Sequence, residues 1–286
     1  MSDRKLTILR GRARAKVTLS LRILGARSDG FHEIDALTVT ASEPHDDVTV
    51  MPQIRSGTTC IVTPRAAAPT RRGENLAERA VDLLRPHFPA EVDGIRVKLV
   101  KRIPMGAGLG GGSADAATVL ALLAKHFGIS DRVVDRVAAK LGSDVPFCVR
   151  GAPAFMRGRG EQLELARNVP RLRLVVVTPP FGCSTPAVYR AWDDLGGPIS
   201  RRVIESDLAD GGLRNDLEPA ALVVQPGLEA LRDSIARITS RTPMMLGSGS
   251  SYFVIVDDDD EAERHFVRLT LELGLDTIWL ATTNAS

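Results

Sequence analysis

The chain has 286 residues, 44% of them hydrophobic and 25% charged, with a formal net charge of +2. That length supports one large or two ordinary domains with a substantial core, and the composition excludes a disordered chain. The near balance of charge gives no reason to expect a polyanionic partner such as nucleic acid.

The basic stretch 1–16 has no apolar core or cleavage site of a secretion signal. The cysteines, Cys60, Cys148 and Cys183, are scattered and make no zinc pattern, which suits a reducing cytoplasm. The longest apolar run, near 116–124, is too short to cross a bilayer, so no membrane association is expected. Over 16–25, Val17, Leu19, Leu21 and Ile23 alternate with Lys16, Thr18, Ser20 and Arg22, which predicts a strand. Lys16, at its start, can point its ammonium at a solvent-facing cleft, though on the residues alone it reads as a solvated edge lysine. Asp29-Gly30 predicts a turn. Short strands follow at 46–50 and 59–63, then a basic, proline-containing loop at 64–73. Residues 75–85 read as an amphipathic helix with Leu76, Ala80 and Leu83 on one face, stopped by Pro86 and Pro89. Ile95, Val97 and Leu99 alternate with Arg96 and Lys98 in a half-buried strand. Helical runs follow at 116–124 and 131–141, then a strand leading to Arg150.

The glycine-rich piece 151–165 is expected to cross between two halves. Beyond it come a strand (172–177), helices (186–195, 227–239), strands (243–246, 252–256) around a tight 247–251, a helix (260–273) and a strand (276–280). That order is β, α, β, β, α, β with an extra helix, the ferredoxin-like plan. The acidic run Asp257–Glu261 is expected to cap the helix behind it. The fold class is thus α/β (α+β): a mixed α/β domain over 1–160 and a ferredoxin-like domain over 161–286, with the site in a cleft between them.

The most informative stretch is PMGAGLGGGSADAA, residues 104–117. Five glycines fall between Gly106 and Gly112, after a strand and before a helix with Ser113 as its expected N-cap. Such a loop lets backbone N–H groups crowd an anion, and the helix adds unpaired donors and a positive dipole end. It reads as a cradle for a di- or triphosphate. Gly106, Gly108 and Gly111 satisfy G-x-G-x-x-G, but the acidic residue about 20 positions on, Asp131, opens a helix instead of closing a strand. No Gly-Lys-Ser/Thr follows, which excludes a P-loop, and no H-R-D or D-F-G occurs, which excludes a protein kinase.

This stretch resembles the P-x-x-x-G-L-G-G-G-S-A-D-A-A signature of the GHMP kinases. It is most similar to the branch that phosphorylates the 2-hydroxyl of a cytidyl-diphospho-linked methylerythritol in the non-mevalonate isoprenoid pathway. The resemblance implies an ATP-dependent phosphotransferase with an alcohol acceptor, whose N-terminal domain is like domain 2 of ribosomal protein S5. It implies ATP as co-substrate with Mg2+, small-molecule partners (ATP and CDP-methylerythritol), and a monomer or homodimer. Other GHMP kinases, acting on mevalonate, homoserine or sugars, and a non-catalytic nucleotide-binding relative are the alternatives. Pro104, Met105, Gly106, Ala107, Gly108, Leu109, Gly110, Gly111, Gly112, Ser113 and Ala114 then form the ATP cradle, with Ser113 a candidate magnesium contact. Lys101 and Asn75 match positions near the ATP nucleoside; on the residues alone they read as strand surface and N-cap.

GSDVPF, residues 142–147, resembles the family segment that carries the catalytic aspartate, here Asp144. On its own, Asp144 reads equally as a turn residue before Pro146. AKVTLSL, residues 15–21, is similar to the family's A-K-[IV]-N-L-x-L opening, which makes Lys16 the charge beside that aspartate. Thr18 replaces the family's asparagine and keeps a hydroxyl on the Lys16 face. Residues 28–34 resemble D-G-Y-H-E-L, where the aromatic stacks on cytosine and the histidine reads its edge. Phe31 keeps the stacking face without the hydroxyl, and His32 is the edge reader. Thr185, Pro186 and Tyr189 match a T-P-x-x-[FY] segment whose aromatic covers the base; Trp192 reads as core. Gly247, Ser248 and Gly249 match the third glycine motif. Residues 215–219 also match, without a role legible in the sequence.

Overall fold

The computed structural model describes residues 5–64, 74–89, 92–203, 208 and 211–284. Residues 65–73 of the expected basic loop, and 1–4 of the N-terminal stretch, lie outside them. The chain divides into two compact units. The first comprises Met1–Ala15, His45–Ile103 and Gly110–Arg150; the second comprises Lys16–Pro44, Pro104–Leu109 and Gly151–Ser286. Neither is contiguous in sequence.

Two long paired strands, β1 (Leu9–Ala26) and β2 (His32–Pro52), give residues to both units. In the first unit the end of β2 pairs antiparallel with β4 (Gly94–Val100), Val48 opposite Leu99. β4 pairs in parallel with β3 (Gly57–Thr63), Cys60 opposite Val97. Among the described residues this unit also holds the α-helices α1 (Leu76–Leu84), α2 (Gly111–Phe127), α3 (Asp131–Leu141) and α4 (Val145–Arg150). Ile95, Val97 and Leu99 are buried while Arg96 and Lys98 are exposed, as the alternation predicts. They join Val48, Val50, Val81, Leu84, Leu120 and Leu123 in one core.

The expected face of α1 does pack on the core: Ala80 is buried and Leu76 and Leu83 are half-buried against it, with Ala77, Val81 and Leu84 fully buried beside them. Two local expectations change here. The strand expected before Arg150 is the helix α4. Pro146 occupies its first turn, where no N–H is needed. Helix α2 begins at Gly111, with Gly110 (φ +69°) as its N-cap and no side-chain cap. Ser113 is therefore inside the first turn.

In the second unit, the start of β2 pairs with β5 (Ala154–Gly158), which pairs with β6 (Gln162–Leu165). The piece expected to cross between halves is thus largely this antiparallel hairpin. The middle of the polar face of β1 is not open to water: Thr18, Ser20 and Arg22 are buried, while Lys16 is half-buried. The segment 211–216 covers it. Ser20 Oγ donates to Arg214 O at 3.0 Å, Leu21 N–H donates to Arg214 O at 2.9 Å, and Arg22 donates to Gly212 O. The remaining elements are β7 (Arg173–Val177), α5 (Thr185–Asp194), α6 (Glu218–Val224), α7 (Gly227–Thr239), β8 (Met244–Met245), β9 (Tyr252–Val256), α8 (Asp259–Leu273) and β10 (Ile278–Thr282). Their antiparallel sheet has the order β10-β7-β9-β8, the ferredoxin-like arrangement. Asp258 caps α8, accepting from Glu261 N–H at 2.7 Å, as the acidic run predicts.

Candidate active site

Residues 104–109 of the glycine loop belong to the second unit and the rest to the first. In the second unit, Gly106 and Gly108 hold φ of +67° and +78°. A Cβ on Gly108 would lie 2.1 Å from Leu246 O, so only glycine lets this turn pack on the 246–249 segment. Thr185 and Ser248, both predicted site residues, share a hydroxyl hydrogen bond of 2.7 Å. The buried Asn215 amide donates to Met245 O at 2.8 Å and to Gly247 O at 2.7 Å. The neighbouring Asp216 accepts from Ile23 N–H at 2.9 Å. These bonds supply the physical role of the 215–219 motif: it fastens the third glycine turn to β1.

In the first unit, the N–H groups of Gly111, Gly112 and Ser113 precede the first helical bond, from Ala114 N–H to Gly110 O at 2.9 Å. With no capping side chain they are donors for an anion. Behind them lies a buried charge cluster. Lys101 Nζ bonds Asp46 and, at 2.6 Å, Asp115 Oδ2; Asp46 Oδ1 also accepts from Ile103 N–H at 2.8 Å. A Cβ on Gly111 would lie 3.3 Å from Lys101 Nζ. Burial pushes the Asp115 carboxyl up, Lys101 draws it down, and Asp46 adds to the rise. Burial works to lower Lys101, but the two carboxylates outweigh it and leave the ammonium raised. Lys101 is accordingly no surface residue of a strand. Asp46 and Asp115 are not among the predicted site residues, although Asp115 lies within the SADAA part of the signature. Asn75 caps α1, accepting from Ala77 N–H at 2.9 Å.

Asp144 stands in the turn before α4, its carbonyl accepting from Cys148 N–H at 3.1 Å. Lys16 belongs to β1 in the second unit. Its backbone N–H donates to Leu109 O at 3.0 Å, and its Nζ lies 3.5 Å from the Thr18 hydroxyl, itself 3.5 Å from that of Thr38.

The aromatic residues predicted from two distant segments do come together. His32 stacks on Tyr189 at 4.8 Å and 28°, and meets Trp192 edge-on at 5.3 Å. Its Nε2 lies 2.7 Å from Asp193 Oδ1, a partner missing from the predicted set. Phe31 is 52% exposed, and the Arg159 guanidinium sits 4.7 Å from its ring centroid.

Residues 75–152 match the family model of the GHMP kinases N-terminal domain. Curated relatives named 4-diphosphocytidyl-2-C-methyl-D-erythritol kinase extend the likeness. The one from Pelotomaculum thermopropionicum is 37% identical over 88% of this chain and 90% of its own. The chain is a GHMP kinase. The relative of the same name from Moorella thermoacetica is also 37% identical, over 90% of this chain and 93% of its own. A crystal structure of 4-(cytidine 5'-diphospho)-2C-methyl-D-erythritol kinase superposes with a TM-score of 0.80 at 34% identity, covering 97% of this GHMP kinase and 100% of that chain. ATP is thus its co-substrate and a small molecule its acceptor. No helix among the described residues is long and apolar enough to cross a membrane.

Proposed function

We propose that this GHMP kinase transfers the γ-phosphoryl group of ATP to the 2-hydroxyl of 4-diphosphocytidyl-2-C-methyl-D-erythritol. The observation that carries the substrate choice is the His32–Tyr189 stack beside the exposed Phe31 ring, an aromatic set suited to a flat base. The named relatives support the same substrate. The uncapped start of α2, with the glycines before it, takes the ATP phosphates. Asp144 accepts or orients the proton of the attacking hydroxyl, and Lys16 stabilises charge on its oxygen. Lys101 and Asn75 shape the nucleoside side. Thr18 holds the Lys16 side of the acceptor site.

The donor set fits Mg2+ as kinases use it. That ion takes most of its ligands from phosphates and water and needs only one or two protein oxygens. Ser113, in the first turn of α2, is the hydroxyl that would reach it. The ion would neutralise charge on the transferring phosphates. The family division into residues 1–160 and 161–286 and a cytoplasmic location belong to the same proposal.

The deciding experiment is a coupled ADP-release assay with the cytidyl alcohol, mevalonate and homoserine side by side. Turnover with the cytidyl alcohol alone is expected. Equal turnover with mevalonate, or none with any alcohol, would overturn the reading.

A further inference from the structure

We propose that Asp193 is a positioning residue that selects the nucleobase, by holding the proton of His32 on Nε2. This rests on the preceding reading, in which His32 meets the base of a cytidyl substrate.

One helix holds His32 from three directions. Tyr189, Trp192 and Asp193 lie at positions i, i+3 and i+4 of α5, so one helix face presents all of them. Tyr189 stacks on the imidazole at 4.8 Å, and Trp192 meets it edge-on at 5.3 Å. Together they fix the plane of the ring. Asp193 Oδ1, 2.7 Å from Nε2, fixes its rotation within that plane. An ionised carboxylate can only accept, so Nε2 must carry the hydrogen. In the neutral ring Nδ1 then has a lone pair and no hydrogen.

An acceptor at Nδ1 has a definite preference. Cytosine carries an exocyclic amino group, a donor, where uracil carries a carbonyl oxygen, an acceptor. The lone pair therefore bonds the amino group and repels the carbonyl. Discrimination between the two bases is set by Asp193, although Asp193 itself need not touch either. Its side chain is 50% exposed, while that of His32 is only 8% exposed. Removing the carboxylate therefore leaves the packing around the ring in place.

The test uses the full-length chain and Asp193→Ala. Imidazole nitrogen NMR should show the Nε2–H tautomer for His32 in the wild type and a mixture in the variant. A wild-type ring protonated on Nδ1 would overturn the assignment. Steady-state kinetics with matched cytidine- and uridine-diphospho alcohols should show the preference for cytidine falling about tenfold or more, through KM of the cytidyl substrate. KM for ATP should hold within about twofold, because ATP uses other residues. An equal rise in KM for both alcohols, with their ratio intact, would reduce Asp193 to a stabilising contact and overturn the inference. Normal cytidyl turnover with an unchanged ratio in the variant is a failure of this inference alone. Absence of turnover with either alcohol in the wild type is a failure of the function reading and takes the selection with it.

Discussion

Asp144 sits between two helices, one residue past the Ser143 turn and directly before α4. Asparagine keeps the shape and volume of the aspartate side chain, so the exchange tests its charge with little change in packing. Asp144→Asn is expected to lower kcat about a hundredfold or more while ATP still binds, because the proposed phosphate donors are backbone groups of other residues. Lys16→Met should lose a similar factor. In the proposed mechanism both residues serve one oxygen, so the double variant should lose much less than the product. Near-normal kcat in Asp144→Asn, beside ATP titrations that show intact binding, would remove it from the mechanism. At this scale the sequence was a good guide where a residue's role is local. Asn75 is an N-cap because its amide meets an N–H two residues on. Asp193 was not legible, because its partner His32 lies 161 positions away. Its only trace was the four-residue spacing from Tyr189, already a candidate.

At the scale of elements, the glycine loop is held from behind by charge as well as by shape. Asp46 leaves β2, Lys101 follows β4, and Asp115 lies on α2, so one ammonium ties three elements where the loop begins and ends. Both carboxylates are almost wholly removed from water. Lys101→Met would strand two buried carboxylates, and about 3–5 kcal/mol of stability should be lost. Urea unfolding of the variant measures it; a cost below about 1 kcal/mol would mean water reaches the cluster. Periodicity recognised most of the elements but not this tie, which looks like a strand-end lysine and a stray helix aspartate. Alternation correctly sorted the two faces of β1, but nothing local announces that residues 212–216 will cover Ser20 and Arg22 on the polar one. The start of α2 was placed at Ser113 because serine is a better cap than glycine in isolation. Here Gly110 adopts a left-handed conformation that only glycine enters freely, and the helix begins earlier.

For the molecule as a whole, acid stability offers a direct measurement. Glu261 accepts from the backbone N–H of Asp257 at 2.8 Å and from Arg241 at 2.8 Å. The backbone bond first, then Arg241 and His265, hold its carboxyl down at about 2. A depressed value means the stabilisation is complete above the ordinary glutamate range and fades as pH falls toward the folded value. Glu261→Gln should therefore lower Tm at pH 7, and the gap to wild type should close progressively between pH about 4.5 and about 2. A gap that stays constant across that range would show that the ionised form is not what stabilises. The ferredoxin-like order was legible at this scale because it depends only on the sequence of elements. The interleaving of the two units was not, because it depends on which distant segments pair. Chain order has a further consequence during synthesis. Ser20 and Leu21 reach their partner at Arg214 only after a further 194 and 193 residues have been made, counting the difference in position. At ribosomal speeds that is a delay of roughly 10–40 s. The β1–β2 hairpin leaves the ribosome long before its cover exists, so the nascent chain carries one unguarded strand edge for most of its translation.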